Sequence, residues 1–562
     1  MTDIFIFILS FYILLLSVIG YGIFFQRICF NEVNLTDNEG SIYIGFYGLF
    51  LITLLSLISS LFVAHNFVFN IFLHVLGILF FFLLSFENKD KYLKNIILIS
   101  LLLFSALLIS KTNDDLSYYH LPFTKYLTEQ KVIFGYGHLN HGYNLLSSLF
   151  FLNSTFYLPF IKYFSFHFGV LFFVVFFNYF LIKEIFSKKN HEIINLLYIF
   201  SFAFFNLSFN RLAEHGTDKS GQLLIVILVI KLFQHTCFDK EKFKIENILF
   251  LLPLVAYCIS LKTYFLPYVI MGSIIFFMDI KFIVILKKFF FTKSFLSFIL
   301  LLIFYFTHHF ISTGCFISPL PSTCFGEKLI WARDINDMIN LSIWLEQWAK
   351  AGAGPNFRVE NVVEYIANLN WISTWIEKYF LVKFLDQLAI LFSSFLVVYL
   401  LTKNFKHKNI DFLINKKILF FYLMILIIFS IWLLNHPTLR YGGYSIVFLV
   451  LSIPTAFLFQ IFENRKMLYK NLKFFILFVV VVFNLKNIDR IINEFSRDDI
   501  FKFSNFPFYA IKEKEYKIYD FNSILTIYSA HHCWATPSPC GNVDEKIVVT
   551  KKNGYFFINK LR

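Results

Sequence analysis

Apolar runs separated by short polar loops account for most of this chain. They lie near residues 4–25, 41–63, 67–86, 95–110, 156–182, 192–210, 217–234, 246–261, 264–280, 295–312, 381–402, 417–435, 442–462 and 472–485. A helix crosses a bilayer with about twenty apolar residues, so the pattern predicts an all-α polytopic membrane protein with about fourteen transmembrane helices. The pair 246–261 and 264–280 also reads as one kinked element, because Pro253 and Pro267 interrupt it. The first run, Ile4 to Phe25, has no basic leader and no small-residue cleavage site, so it reads as a retained span. Self-similarity at a period of about 20–50 residues is absent from the sequence, which excludes a solenoid.

This pattern divides the chain into three parts. Residues 1–94 form an N-terminal three-span segment, and residues 95–485 a transmembrane core with two long loops, 111–155 and 313–380. From 486 to 562 the pattern changes to alternation, as in Tyr516-Lys-Ile-Tyr-Asp520 and Lys546-Ile-Val-Val-Thr-Lys551. That tail is expected to be a small α/β or β-rich segment.

Basic residues orient the spans. Lys89, Lys91 and Lys94, then Lys183, Lys188 and Lys189, Lys240, Lys242 and Lys244, and Lys281, Lys287 and Lys288 fall in loops on one side. Lys403, Lys406 and Lys408, and Arg465, Lys466 and Lys470, continue the series. Positive loops face the cytoplasm, so the two long loops, the tail and both termini are expected on the extracytoplasmic face. The expected location is a bacterial inner membrane, with the lipid bilayer as a constant partner.

Composition agrees. The chain of 562 residues is 58% hydrophobic and only 15% charged, and its mean hydropathy is +0.67. A soluble protein carries nearer a quarter charged residues. The formal net charge of +14 would suit nucleic acid, but it is scattered through inter-span loops. Nucleic acid is therefore not an expected partner. The 81 phenylalanines suit lipid-facing helices and carry no chemistry by themselves.

Seven cysteines are present. Cys315, Cys324, Cys533 and Cys540 fall on the extracytoplasmic side, where oxidation is favoured, and are disulfide candidates. Local pairs Cys315–Cys324 and Cys533–Cys540 are the preferred connectivity among three, with free thiols as the alternative. Neither pair has the ligand spacing of a zinc site.

Three polar constellations stand at span ends. The first is Lys111-Thr-Asn-Asp114-Asp115-Leu-Ser-Tyr118-Tyr119-His120-Leu121-Pro122, directly after the run 95–110. Carboxylates are costly near hydrocarbon and collect there mainly when something uses them. Asp114 and Asp115 repel each other, which can raise the pKa of one and make it a base; His120 stands beside them. The same oxygens can hold a divalent cation. The bland reading is a cap: Asn113, Asp114 or Asp115 would start a short helix near Leu116. His120, His138 and His141 fit no compact zinc motif. The second constellation, Arg211-Leu-Ala-Glu214-His215-Gly-Thr-Asp218-Lys219, puts five ionisable groups in nine residues. It is either a salt-bridge network closing a helical hairpin or a binding surface facing the first loop. The third, His436-Pro-Thr-Leu-Arg440-Tyr441-Gly-Gly-Tyr444, offers an arginine fork suited to phosphate, unless Arg440 merely snorkels. Lys262 is a further cation between two short spans.

With these residues in view, the chain resembles the GT-C superfamily of polytopic membrane glycosyltransferases. In that superfamily the first large loop follows a span and opens with an acidic residue or pair, and bacterial members often continue with a Tyr-His-Leu-Pro-like stretch. Asp114, Asp115, Tyr119, His120, Leu121 and Pro122 are similar to that pattern. Thr217-Asp218 looks like a second acidic position, Thr313-Gly-Cys315 through Pro319 like a Thr-Gly-x-Pro-type segment, and Arg440-Tyr441 like an Arg-Tyr pair near a late span. The resemblance implies a polyprenyl-phosphate-linked sugar as donor and a glycan, lipid or protein as acceptor. It implies Asp115 or Asp114 as the base of an inverting transfer. Arg440, with Lys219, Arg211 or Lys262, would stabilise the leaving phosphate. Tyr118, Tyr119, Glu214, His215, Asp218 and Tyr441 would line the substrate site. Acceptor choice would come from 313–380, which holds Trp331, Trp344, Trp348, Trp371 and Trp375; the alternative is that these tryptophans anchor interfacial helices. A polysaccharide polymerase or ligase shares these features. A transporter or lipid flippase is the reading from a different class, but it would place charges near the bilayer midplane.

Overall fold

The computed structural model describes residues 2–30, 38–84, 88–108, 115–187, 189–208, 215, 217–238, 245–277, 289–354, 356–402, 415–460, 465–497 and 515–561. The fold is mostly helical, with small sheets confined to loops and the tail. Among the described residues, seven helices are long and apolar enough to cross a membrane: Asp3–Phe30, Tyr163–Ile185, Thr217–Phe238, Lys293–Thr313, Ile372–Leu401, Lys416–Asn435 and Leu439–Gln460. Five further apolar helices are shorter: Ile44–Ser59, Phe67–Leu83, Glu192–Leu207, Asn247–Leu261 and Thr263–Ile274.

Among the described residues, the apolar runs thus appear as seven long and five short helices, and not every run is a full-length span. The reasons are local. The run 95–110 is broken at Leu103, between the helices Lys89–Leu102 and Phe104–Leu108. The run 264–280 begins in a tight 3₁₀ segment, Thr263–Phe277, which follows the helix Ile245–Leu261 after a one-residue break at Lys262. The run 472–485 is the middle of a 33-residue helix, Arg465–Arg497, which carries the chain past 486.

Helix starts follow capping chemistry. Asn66, Thr292, Asp334 and Asn415 each accept a hydrogen bond from a first-turn N–H of the helix they precede. Gly314, at φ +75°, ends Lys293–Thr313.

The N-terminal helices pack backbone to backbone. A Cβ on Gly20 would stand 1.9 Å from the Gly77 carbonyl oxygen, and one on Gly48 1.9 Å from that of Val18. Small residues permit this close approach. Polar bonds tie the same helices to the core: Ser56 Oγ donates to the Phe151 carbonyl at 2.5 Å, and His65 Nδ1 lies 2.6 Å from Ser154 Oγ.

The tail is β-rich. Lys517–Phe521 pairs antiparallel with Leu525–Ser529, Cys540–Gly541 adds in parallel, and Ile547–Lys552 forms a hairpin with Tyr555–Lys560. It is fastened to the loop that follows Asp115. Phe134 N–H donates to the Phe556 carbonyl at 2.9 Å, and Ile558 N–H to the Phe134 carbonyl at 2.8 Å. Disulfides join Cys315 to Cys324 and Cys533 to Cys540.

Candidate active site

Four charged side chains from four separate segments meet at one point. Arg440 lies in a π-turn, Leu439–Gly443, at the start of Tyr444–Gln460. Its Nε donates to Asp218 Oδ2 at 2.7 Å, and its other arm pairs with Asp115. Asp218 stands in the first turn of Thr217–Phe233. Lys262, in the break before Thr263–Phe277, completes the group with its Nζ 3.6 Å from Asp218 Oδ1. One guanidinium thus joins two carboxylates through different nitrogens, which a lysine cannot do. The Asp218 side chain is 7% exposed, whereas those of Asp115 and Arg440 are 28% and 29% exposed. The group has a closed back and an open mouth.

The turn carrying Arg440 is held on every side. Gln222 stands one helical turn after Asp218, on the same face. Its amide donates to the carbonyls of Leu439 and Arg440 at 3.1 and 3.2 Å, and its Oε1 accepts from Ser445 N–H at 3.0 Å. Tyr264 hydroxyl donates to the Arg440 carbonyl at 3.1 Å. Trp375 Nε1 donates to the Pro437 carbonyl at 2.7 Å, and Leu439 N–H donates to the Tyr379 hydroxyl at 2.8 Å. Gly442 takes φ +84°, and a Cβ there would touch the Tyr264 ring at 3.4 Å.

Asp115 does not cap the helix that follows it. Its backbone is already helical, its side chain makes no cap bond, and the carboxylate goes to Arg440 instead. Burial pushes the Asp115 carboxyl up, but Arg440 beside it, and then His120, hold it below the ordinary carboxylate value. Of the two aspartates expected to push one carboxyl up, Asp115 is the one held down, by an arginine remote in sequence. Asp114 lies outside the described residues, as do Arg211 and Glu214.

His120 is buried beside Asp115, with its ring 6.4 Å from that of His215 and 4.3 Å from that of Tyr119. Burial pushes the His120 imidazole down to about 4, and holds His215 well below its ordinary value. Both are uncharged at neutral pH. Tyr119 is buried in the field of Asp115, Arg440 and Tyr441, with its phenol held in the neutral form first by burial. Tyr118 turns to the tail, with its ring 5.3 Å from His531 and 5.7 Å from His532. Lys219 is buried with Arg490 as its charged neighbour. Trp371 and Trp375 are buried supports, while Trp344 stacks under Arg358 at 4.4 Å.

The tail braces the Asp115 segment. Ser117 Oγ lies 2.9 Å from His532 Nδ1, and Trp534 N–H donates to the Ser117 carbonyl at 3.0 Å. Lys125 donates to the Thr536 carbonyl at 3.1 Å, and Ser538 N–H to Glu129 at 2.9 Å. All these tail residues lie in or beside the loop that Cys533–Cys540 closes.

A cavity of about 410 Å³ adjoins the charged group, with Lys262, Tyr264, Tyr441 and Gly442 in its wall. It continues between apolar side chains that include Leu266, Ile428 and Ile431. Leu266 and Ile431 are 39% and 40% exposed, so the cavity opens on the apolar exterior of the bundle.

The described residues do not build a cation cage. Arg440 already occupies the position between the two carboxylates, and two cations balance two anions. Among the described residues, no group of three or more His, Cys, Asp or Glu side chains converges on a metal position.

Residues 4–447 match the domain of unknown function DUF8201. The chain belongs to this family. Asp115, Asp218, Lys262 and Arg440 all lie inside the match, and the bracing tail lies beyond it. No curated protein and no solved structure matches the chain.

The sequence singled out Asp115, Asp218, Lys262 and Arg440 because charge is rare at the ends of apolar runs. It missed Gln222, Tyr264 and Tyr379, which hold the turn that carries the arginine, and it named Trp375 only as an acceptor contact or interfacial anchor. Of these, only Gln222 carried a signal: its spacing of four from Asp218 inside an apolar helix.

Proposed function

We propose that this protein is a membrane glycosyltransferase that moves a sugar from a polyprenyl-phosphate donor to an extracytoplasmic glycan, lipid or protein acceptor. The observation that carries the reading is the Asp115–Arg440–Asp218 bridge joined to Lys262, which lines an adjoining, largely apolar cavity. A lysine in the wall of this cavity, with Arg440 reached through Asp218, suits a lipid phosphate. The partly exposed Asp115 carboxylate suits an acceptor hydroxyl.

The bridge also supplies an order of events. A donor phosphate competes with Asp115 for the exposed arm of Arg440, while Asp218 keeps the Nε arm in place. Once released, Asp115 loses the charge that depressed its pKa and becomes the stronger base. It takes the proton of the acceptor hydroxyl as that oxygen bonds to the anomeric carbon. The bond from this carbon to the phosphate oxygen breaks, the electron pair leaves with the phosphate, and the configuration inverts. Arg440 and Lys262 stabilise the leaving charge. About fourteen membrane crossings, GT-C-like topology and an extracytoplasmic mouth in a bacterial inner membrane belong to this proposal. The clustering of charge at helix ends favours transfer over transport.

The test is transfer from a radiolabelled lipid-linked sugar in membranes carrying wild type or Asp115→Asn. The substitution should reduce turnover by at least about a thousandfold, in the range seen when a catalytic base is lost. The protein level and unfolding midpoint should stay near wild type. Full activity in Asp115→Asn would remove Asp115 as the base.

A further inference from the structure

Among the described residues, His309 and Ser318 are buried polar side chains on the cavity wall without a hydrogen-bond partner. His309 is 1% exposed, and neither ring nitrogen has a hydrogen-bond partner among the described residues. Ser318 is 2% exposed, and its Oγ likewise has none. Both line the 410 Å³ cavity that adjoins Lys262. The contrast with the neighbouring histidine is informative: His308 Nε2 is satisfied by the Leu57 carbonyl at 2.8 Å. A buried polar atom without a partner is costly, so two such groups on one cavity wall point to a ligand that satisfies them.

Their chemistry restricts that ligand. A neutral imidazole offers one donor and one acceptor, and a serine hydroxyl offers both. A phosphate presents mainly acceptor oxygens and would leave the accepting ring nitrogen unpaired. Sugar hydroxyls donate and accept, and so can satisfy both residues. The rest of the wall agrees. Tyr264, Tyr268, Trp432 and Tyr441 present aromatic surface suited to a pyranose face, and Leu266 and Ile431 carry the wall out to the apolar exterior. The volume falls in the usual range for small-molecule sites, about 300–1,000 Å³.

We infer that this cavity is a glycosyl subsite in which His309 and Ser318 read the hydroxyls of an uncharged sugar attached to a lipid tail. The inference rests on the transferase reading for its place in a reaction, but the binding it states does not require turnover. His309 and Ser318 are specificity residues, remote in sequence from the charged group that would act on the anomeric carbon.

The experiment measures binding of dodecyl β-glucoside, free glucose and dodecyl phosphate to the full-length protein in lipid nanodiscs, by tryptophan fluorescence. Wild type should bind dodecyl β-glucoside at least about a hundredfold more tightly than glucose, because the apolar wall holds the tail. His309→Phe should weaken dodecyl β-glucoside at least about tenfold and change dodecyl phosphate less than about twofold. His309→Gln, which keeps a donor and an acceptor, should restore most of the affinity, and Ser318→Ala gives a second, smaller substitution should the ring change disturb folding. Unchanged glucoside binding in both His309→Phe and Ser318→Ala overturns the subsite. Loss of glucoside and phosphate binding together also overturns it, since it would make the residues general supports. Parity of free glucose with the alkyl glucoside overturns the lipid-linked source. His309-dependent glucoside binding in a wild-type protein that transfers no sugar would sink the transferase reading and leave the subsite standing.

Discussion

Arg440→Gln is the substitution that loads most on the architecture of the site. It removes the charge between Asp115 and Asp218 and strands a carboxylate that is 7% exposed. Breaking a buried ion pair from one side costs about 3–5 kcal/mol. Two observations reduce that figure. Lys262 remains 3.6 Å from Asp218, and Asp115, at 28% exposure, can regain water. A loss of about 2–3 kcal/mol follows. The origin of the loss is testable, because a second substitution removes the stranded charge. Arg440→Gln with Asp218→Asn should recover about 1–2 kcal/mol relative to Arg440→Gln alone, a coupling of the size expected for partners in direct contact. Arg440→Lys should fall in between, since one ammonium cannot reach both carboxylates with the fork geometry. The assay is thermal and denaturant unfolding of the four proteins of the cycle in nanodiscs, followed by tryptophan fluorescence. Strictly additive effects of the two substitutions would refute the bridge.

Other outcomes follow from the same geometry. The folded state keeps His120 and His138, both pushed down to about 4 by burial, from taking up protons that the unfolded chain binds near the ordinary value of 6.5. Their stabilising contribution is present above 6.5 and is lost as pH falls from 6.5 towards 4, at about 1.4 kcal/mol per pH unit for each; a flat unfolding midpoint across that window would contradict their burial as uncharged rings. The Asp115 pairing lies lower: its carboxyl is held below the ordinary value, so its contribution persists above that range and disappears only as pH falls through the depressed folded-state value. Asp115→Asn should therefore flatten the most acidic part of the stability profile. Opening the Cys533–Cys540 loop with paired serine substitutions should cost about 2–3 kcal/mol by loop entropy. It should also lower transfer and expose the tail to protease, because the brace on Ser117 and Glu129 loosens; unchanged protease resistance and activity would show that the brace is dispensable.

The charged residues of the site were legible because a carboxylate or arginine at the end of an apolar run has few ordinary explanations. Their convergence was not. Asp115 and Arg440 are 325 residues apart, and nothing in either local sequence names the other. That missing partner is also why the sequence could not say which aspartate of the pair is held down. The supports of Arg440 were harder still, since Tyr264, Trp375 and Tyr379 belong to a chain that is 21% aromatic. Helix number was legible only coarsely. Hydropathy registers an apolar run, but not the break at Leu103 or the tight winding of Thr263–Phe277, both set by packing. The β-rich tail followed from its alternation, whereas its seat on the Asp115 segment depends on tertiary hydrogen bonds.

The central claim is that Arg440 exchanges Asp115 for a donor phosphate. The most direct measurement is a cryo-EM structure of the purified protein with a polyprenyl phosphate in nanodiscs. The account predicts phosphate on Arg440 and Lys262, the lipid tail in the cavity beside Leu266 and Ile431, and Asp115 released while Asp218 still holds the Nε arm. Phosphate bound elsewhere, with Arg440 still clamped between both aspartates, would contradict it.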